Sequence, residues 1–109
     1  AGPYAIPNVW IDVYCVYTNR QPGSAMRGFG VTPASFALEV QMDKIAETVG
    51  IDPWEIRFLN AYRNGDVKPH RKVTEDATLI ETMQAAAKLV GHELPEHLLA
   101  MNSSDRNGG

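Results

Sequence analysis

Cysteine is nearly absent from this chain. The one thiol, Cys15, has no partner for an intrachain disulfide, which excludes the bridged frameworks of small secreted domains. No apolar run reaches the length of a membrane span, and no basic N-terminal region leads into an apolar core, so neither an anchor nor a signal peptide is read. Basic residues are scattered rather than striped, and the formal net charge is −3, which argues against nucleic acid. The three histidines, His70, His92 and His97, lack the spacing of a metal site, so no metal ligand is assigned. No Ser-His-Asp set, phosphate-cradling lysine loop or iron–sulfur cysteine cluster is present, so no catalytic residue is assigned either. A cytoplasmic setting is the expectation. The chain opens on Ala1-Gly2-Pro3-Tyr4 and closes on a polar tail, and both ends read as points where a longer chain was cut. Removal of an initiator methionine gives the same kind of N-terminus.

What remains is ordinary for a globular piece: 109 residues, 44% apolar and 21% charged, one domain's worth at most. From Val9 to Thr18 the residues alternate. Val9, Ile11, Val13, Cys15 and Tyr17 face one way, and Trp10, Asp12, Tyr14, Val16 and Thr18 the other. β-Branched and aromatic residues dominate, which predicts a strand with Cys15 as a buried structural thiol. Such a strand has no visible mate, and a lone strand leaves its backbone unpaired, so its partners are expected outside this sequence.

Helix signals follow a glycine-rich loop over 19–31. Thr32 is placed as N-cap with Pro33 in the first turn, and Leu38, Met42, Ile45 and Val49 form a stripe that Gly50 ends. With Phe36, Val40 and Ala46 on a second face, this helix is expected to lie buried between layers. Asp52-Pro53-Trp54-Glu55 opens a second helix, expected to run to Asn64-Gly65. Thr78-Leu79-Ile80-Glu81 opens a third that Gly91 ends, and Glu93–Met101 a short fourth entered through Pro95. The expected fold is α+β: an N-terminal β-strand and Gly-rich loop over 1–31, three or four α-helices over 32–101, and a flexible tail over 102–109.

The sharpest feature is Ala25-Met26-Arg27-Gly28-Phe29-Gly30. Glycines on both sides of Phe29 let the backbone approach a ligand closely, free amides in such a loop can donate to an anionic oxygen, and the ring can face a flat molecule. Taken alone, a plain turn with Phe29 tucked into the core fits the pattern better, because short glycine motifs are weak evidence.

Linked blocks in order carry more. Gly2-Pro-Tyr-Ala-Ile-Pro-Asn8, Thr18-Asn19, Ala25–Gly30, Phe36-Ala-Leu-Glu39, Met42-Asp43, Ala46-Glu47 and Gly50–Arg57 with Asn60 resemble the molybdenum-cofactor-binding subunit of the xanthine dehydrogenase and aldehyde oxidase family. The resemblance covers the first two-thirds strongly and the rest more weakly. It implies a segment of a larger α+β molybdopterin-binding domain, too small to be catalytic alone and expected to hold no molybdenum in isolation. It implies oxidative hydroxylation of a purine, related heterocycle or aldehyde by the intact enzyme. The partners implied are the remainder of the molybdopterin subunit and the iron–sulfur and FAD domains or subunits. Arg27 is implied to contact the cofactor through its backbone, Phe29 to pack against substrate, and Gly28 and Gly30 to support the loop. Where many members continue with Gly-Pro-Gln, this chain has Val31-Thr32-Pro33, so the loop's exit is its own.

Two other readings stand beside this one. A non-catalytic helical interaction module would add its N-terminal strand to a partner's sheet. A heterocycle-binding protein would use Phe29 without a metal. Glu39 and Asp43, four apart on one helix face, suggest paired carboxylates but are expected to serve structural hydrogen bonds or solvent.

Overall fold

The computed structural model describes residues 2–23 and 26–104. Four helices follow in order: α1 (Val31–Val49), α2 (Pro53–Asn60), α3 (Leu79–Leu89) and α4 (Glu96–Leu99). Among the described residues there is no β-strand, which overturns the α+β expectation. Two isolated antiparallel bridges, Tyr4 with Ala61 and Val67 with Val73, are all the ladder pairing they show. Val9–Thr18 runs as an irregular arm, because period-two patterning specifies a face but supplies no hydrogen-bonding neighbour. Both of its faces meet solvent, Trp10 at 88% exposure and Val13 at 85%. Cys15 is exposed and not the buried thiol that the alternation predicts.

The helix ends are fixed in different ways. α2 starts as the sequence predicts: the Asp52 carboxylate accepts from the Trp54 and Glu55 amides at 2.7 and 3.3 Å, with Pro53 in the first turn. It stops at Asn60, short of Asn64-Gly65. There the N-terminal segment takes over the backbone, Ala5 N–H donating to Asn60 O at 2.7 Å and Tyr62 N–H to Pro3 O at 3.0 Å. α1 is capped by Gly30 in the left-handed region rather than by Thr32. Pro33 still fits, since first-turn amides have no intrahelical acceptor. Gly50 closes α1 with φ 77° and its N–H on Ala46 O. α3 begins after Thr78, but no side-chain cap forms there.

Two apolar clusters hold the piece together. Tyr4, Met42, Ala46 and Ile56 join the N-terminal segment, α1 and α2, with Leu38 and Ile51 against them. Phe58, Ala61, Ile80 and Leu98 join α2, α3 and α4, with Trp54, Met83 and Leu94 around them. α1 is not sandwiched between layers: of its nineteen residues Met42 and Ala46 alone are buried, and Phe36 is 72% exposed. Among the described residues no helix is long and apolar enough to cross a membrane.

Residues 105–109 of the expected tail lie outside the described residues, but its first part is pinned. Ser103 is 1% exposed. Its Oγ donates to Glu81 Oε2 at 2.5 Å and accepts from Ile80 N–H at 3.2 Å, while its own N–H donates to Glu81 Oε1 at 2.8 Å. Gln84 Nε2 adds bonds to the carbonyls of Leu98, Leu99 and Met101. The two donors on Ser103 hold the Glu81 carboxyl below its ordinary range. A depressed folded-state value gives stability that is present above the unfolded-state pKa and lost as pH falls through the folded one. Ser103→Ala also strands the buried Ile80 amide, so it should cost about 1–3 kcal/mol at neutral pH. Urea titrations of both proteins across the acidic range should show that gap shrinking as Glu81 takes up its proton. A gap independent of pH would refute the assignment.

Candidate functional site

The residues of the Arg27–Gly30 motif fall together on one turn that opens α1. Phe29 N–H donates to Met26 O at 2.9 Å and Val31 N–H to Gly28 O at 3.0 Å, then Ala34 N–H to Gly30 O begins the helix. Three residues in a row lie at positive φ: Gly28 at 97°, Phe29 at 49° and Gly30 at 93°. This left-handed stretch suits glycine, and a side chain at either glycine would be strained. For Phe29 the conformation is costly and rare. Its ring gains nothing in return from packing, being 90% exposed. The tucked-in turn, the better fit to the motif taken alone, is therefore excluded. Arg27 is also exposed and pairs with no acid among the described residues.

Behind the loop sits an ionic cluster that motif reading did not assemble. Arg57 on α2 reaches α1 with Nε 2.8 Å from Glu39 Oε2 and Nη1 2.8 Å from Asp43 Oδ1. The same guanidinium donates to the carbonyls of Pro53 and Glu39 at 2.8 and 3.1 Å. Tyr4 Oη lies 2.8 and 2.9 Å from the two Glu39 oxygens and donates its one proton across them. Burial, and then the Glu39 carboxylate, push the Tyr4 phenol far above its ordinary value, so it stays a donor. Burial works against the Arg57 charge, but the bonds to Glu39 and Asp43 outweigh it. The four-residue spacing of Glu39 and Asp43 was the visible signal, and its structural reading holds. That Arg57 is what they grip depends on the helix–helix packing.

Residues 1–61 match the molybdopterin cofactor-binding domain family, more than half of the sequence. The chain belongs to that family. Both the loop and the ionic cluster lie within the matched stretch. Over most of its length, the chain is 42% identical over 97 residues to the nicotinate dehydrogenase large molybdopterin subunit of Eubacterium barkeri, covering 84% of this chain and 23% of that one. It is 48% identical over 66 residues to the aldehyde oxidoreductase of Megalodesulfovibrio gigas, covering 61% and 7%. Likeness to the xanthine dehydrogenase of Dictyostelium discoideum is 38% over 69 residues, covering 63% and 5%. The chain thus spans less than a quarter of each of these relatives.

The open loop of this segment fits a part in holding an anionic cofactor. Among the described residues no three His, Cys, Asp or Glu side chains gather where they could hold a metal ion. The loop offers an open face: a methyl group built on Gly30 would meet nothing within 4 Å. It also stands at the positive end of a nineteen-residue helix, where anionic oxygens are favoured.

His92 and His97 each make a contact to α2. His92 stacks on Trp54 with ring centroids 5.3 Å apart, and His97 Nε2 lies 3.2 Å from Glu55 Oε1. His70 lines an open cleft of about 890 Å³ with Tyr62, Lys68 and Glu75.

Proposed function

We propose that this chain is a segment of the molybdopterin-binding subunit of a molybdenum hydroxylase, and that its 26–30 loop meets both cofactor and substrate. One observation carries the reading: Phe29 is held at positive φ between two glycines with its ring in solvent, inside the family-matched stretch. Neither packing nor chain entropy accounts for such an arrangement, whereas a flat ligand on the ring and an anionic group at the loop backbone do. Bound molybdopterin would supply the redox and oxygen-transfer chemistry of hydroxylation. This chain's residues orient: backbone N–H groups around Arg27 point toward the cofactor, Phe29 presents a face to a purine, related heterocycle or aromatic aldehyde, and Gly28 and Gly30 keep the approach clear.

The exposed apolar arm supports the same reading. Trp10, Ile11, Val13, Tyr14 and Val16 are too many large side chains to leave wet, and patches of this kind mark surfaces that further protein covers. The remainder of a molybdopterin subunit would cover them, with iron–sulfur and FAD domains or subunits completing the electron path. A free-standing interaction module would also need such an arm, but it gives no account of the strained Phe29.

Two substitutions in a full-length subunit carrying this segment separate backbone from side chain. Gly30→Val forces a β-branched residue to φ 93° and should abolish most of the turnover and reduce bound molybdenum. Arg27→Ala leaves the backbone in place and should keep the metal. Molybdenum content and steady-state turnover are the readouts. A fully loaded, fully active Gly30→Val subunit would remove the loop from the site.

A further inference from the structure

Among the described residues, the packing and ionic contacts that hold α1 start well into the helix. Val31 through Ala37, about two turns, are exposed. Leu38 then packs on the Gly2 backbone, so closely that a side chain at Gly2 would collide with Leu38 Cδ2. Glu39 and Asp43 grip Arg57, and Met42 and Ala46 enter the core. The 26–30 loop is thus carried on a projecting stub of helix, roughly 12 Å beyond the first polar anchor at a rise of 1.5 Å per residue.

A stub of this kind copies every rotation of its base. Apolar contacts at Met42 and Ala46 tolerate small rolls about the helix axis, because dispersion is not directional. The Arg57 fork does not. It takes one carboxylate on Nε and the next turn's carboxylate on Nη1, and it is fixed in turn by Pro53 O on its own helix. Tyr4 braces Glu39 from the third side. We infer that Arg57, acting through Glu39 and Asp43 with Tyr4 as brace, is a positioning residue that sets the azimuth of the 26–30 loop. Its consequence for turnover rests on the proposed function of that loop.

Arg57→Lys keeps the charge but not the planar fork, so it cannot hold both carboxylates and the carbonyls in one geometry. Tyr4→Phe removes only the brace, and Asp43→Asn weakens only the more exposed arm of the fork. Each variant is made in a full-length, cofactor-loaded subunit. Amide exchange at Phe29, Val31 and Ala34 is compared with exchange in α2 and α3, alongside kcat, KM and molybdenum content. The expected result for Arg57→Lys is exchange at those three amides at least tenfold faster, exchange in α3 unchanged, and kcat down on the order of tenfold at constant molybdenum. Tyr4→Phe and Asp43→Asn should follow in the same direction by less. Faster exchange throughout the segment, with a matching fall in Tm, would show a merely structural clamp and overturn the inference. So would unchanged exchange at the loop in all three variants. Selective loosening of the loop in variants whose turnover is normal, with Phe29→Ala also normal, would uphold the positioning role and reject the loop as the site.

Discussion

Phe58→Ala should bring this chain to the edge of unfolding. Phe58 is fully buried where α2, α3 and α4 meet, against Ala61, Ile80 and Leu98. Truncation removes the ring's transfer free energy and leaves a cavity that surrounding helices fill only in part, a loss of about 3–5 kcal/mol. Domains of this size have total stabilities of roughly 5–15 kcal/mol, so most of the margin of a small piece would be gone. Phe36→Ala supplies the contrast: the side chain is 72% exposed, and its loss should stay within about 0.5 kcal/mol. Urea denaturation followed by helical circular dichroism measures both. If Phe58→Ala falls within about 1 kcal/mol of the parent, well under the usual cost of such a truncation, the second cluster is not the centre of stability.

The most substrate-selective effect should belong to the other conspicuous phenylalanine. Phe29→Ala should leave stability nearly untouched, since the ring buries almost nothing, and should act on recognition in a full-length subunit. Stacking of aromatic rings contributes about 0.5–1.5 kcal/mol beyond area burial. At about 1.4 kcal/mol per factor of ten, kcat/KM for a heterocycle should fall on the order of tenfold. A small aliphatic aldehyde offers no ring and should lose less. Molybdenum should be retained, because the loop backbone stays as it was. Equal losses for both substrate types, or a metal-free variant, would make Phe29 a support for the cofactor rather than a platform for substrate.

Some local signals were legible in the sequence, though neither Thr32 nor Thr78 forms a side-chain cap, and those that depend on distant neighbours were not. Asp52-Pro53 and Gly50 mark helix ends through contacts within a few residues, and the structure places both where the sequence does. The glycines of the Arg27–Gly30 motif mark a turn, because positive φ is a property of the backbone itself, but the motif taken alone favours a tucked-in Phe29 and the ring is exposed. Val9–Thr18 misleads for the opposite reason: alternation is a statement about faces, and a strand exists only when another strand accepts its hydrogen bonds. The same holds for Glu81, whose spacing from Thr78 fits a capping box. Its carboxylate goes to Ser103 instead, twenty-two residues away. The family resemblance reached further than either kind of pattern, since ordered blocks carry tertiary information that no single window holds.

The bridge between Tyr4 and Ala61 should form late as this chain folds. Its two halves are separated by roughly sixty residues, so forming it early would close a long loop at full entropic cost. The Phe58 cluster closes shorter spans between successive helices and is the natural nucleus. Docking of the N-terminal segment onto Asn60–Tyr62 then belongs to a late step. On this route Tyr4 reaches Glu39 after Arg57 already holds α1 against α2, so the brace on that ion pair is the last of its contacts to form.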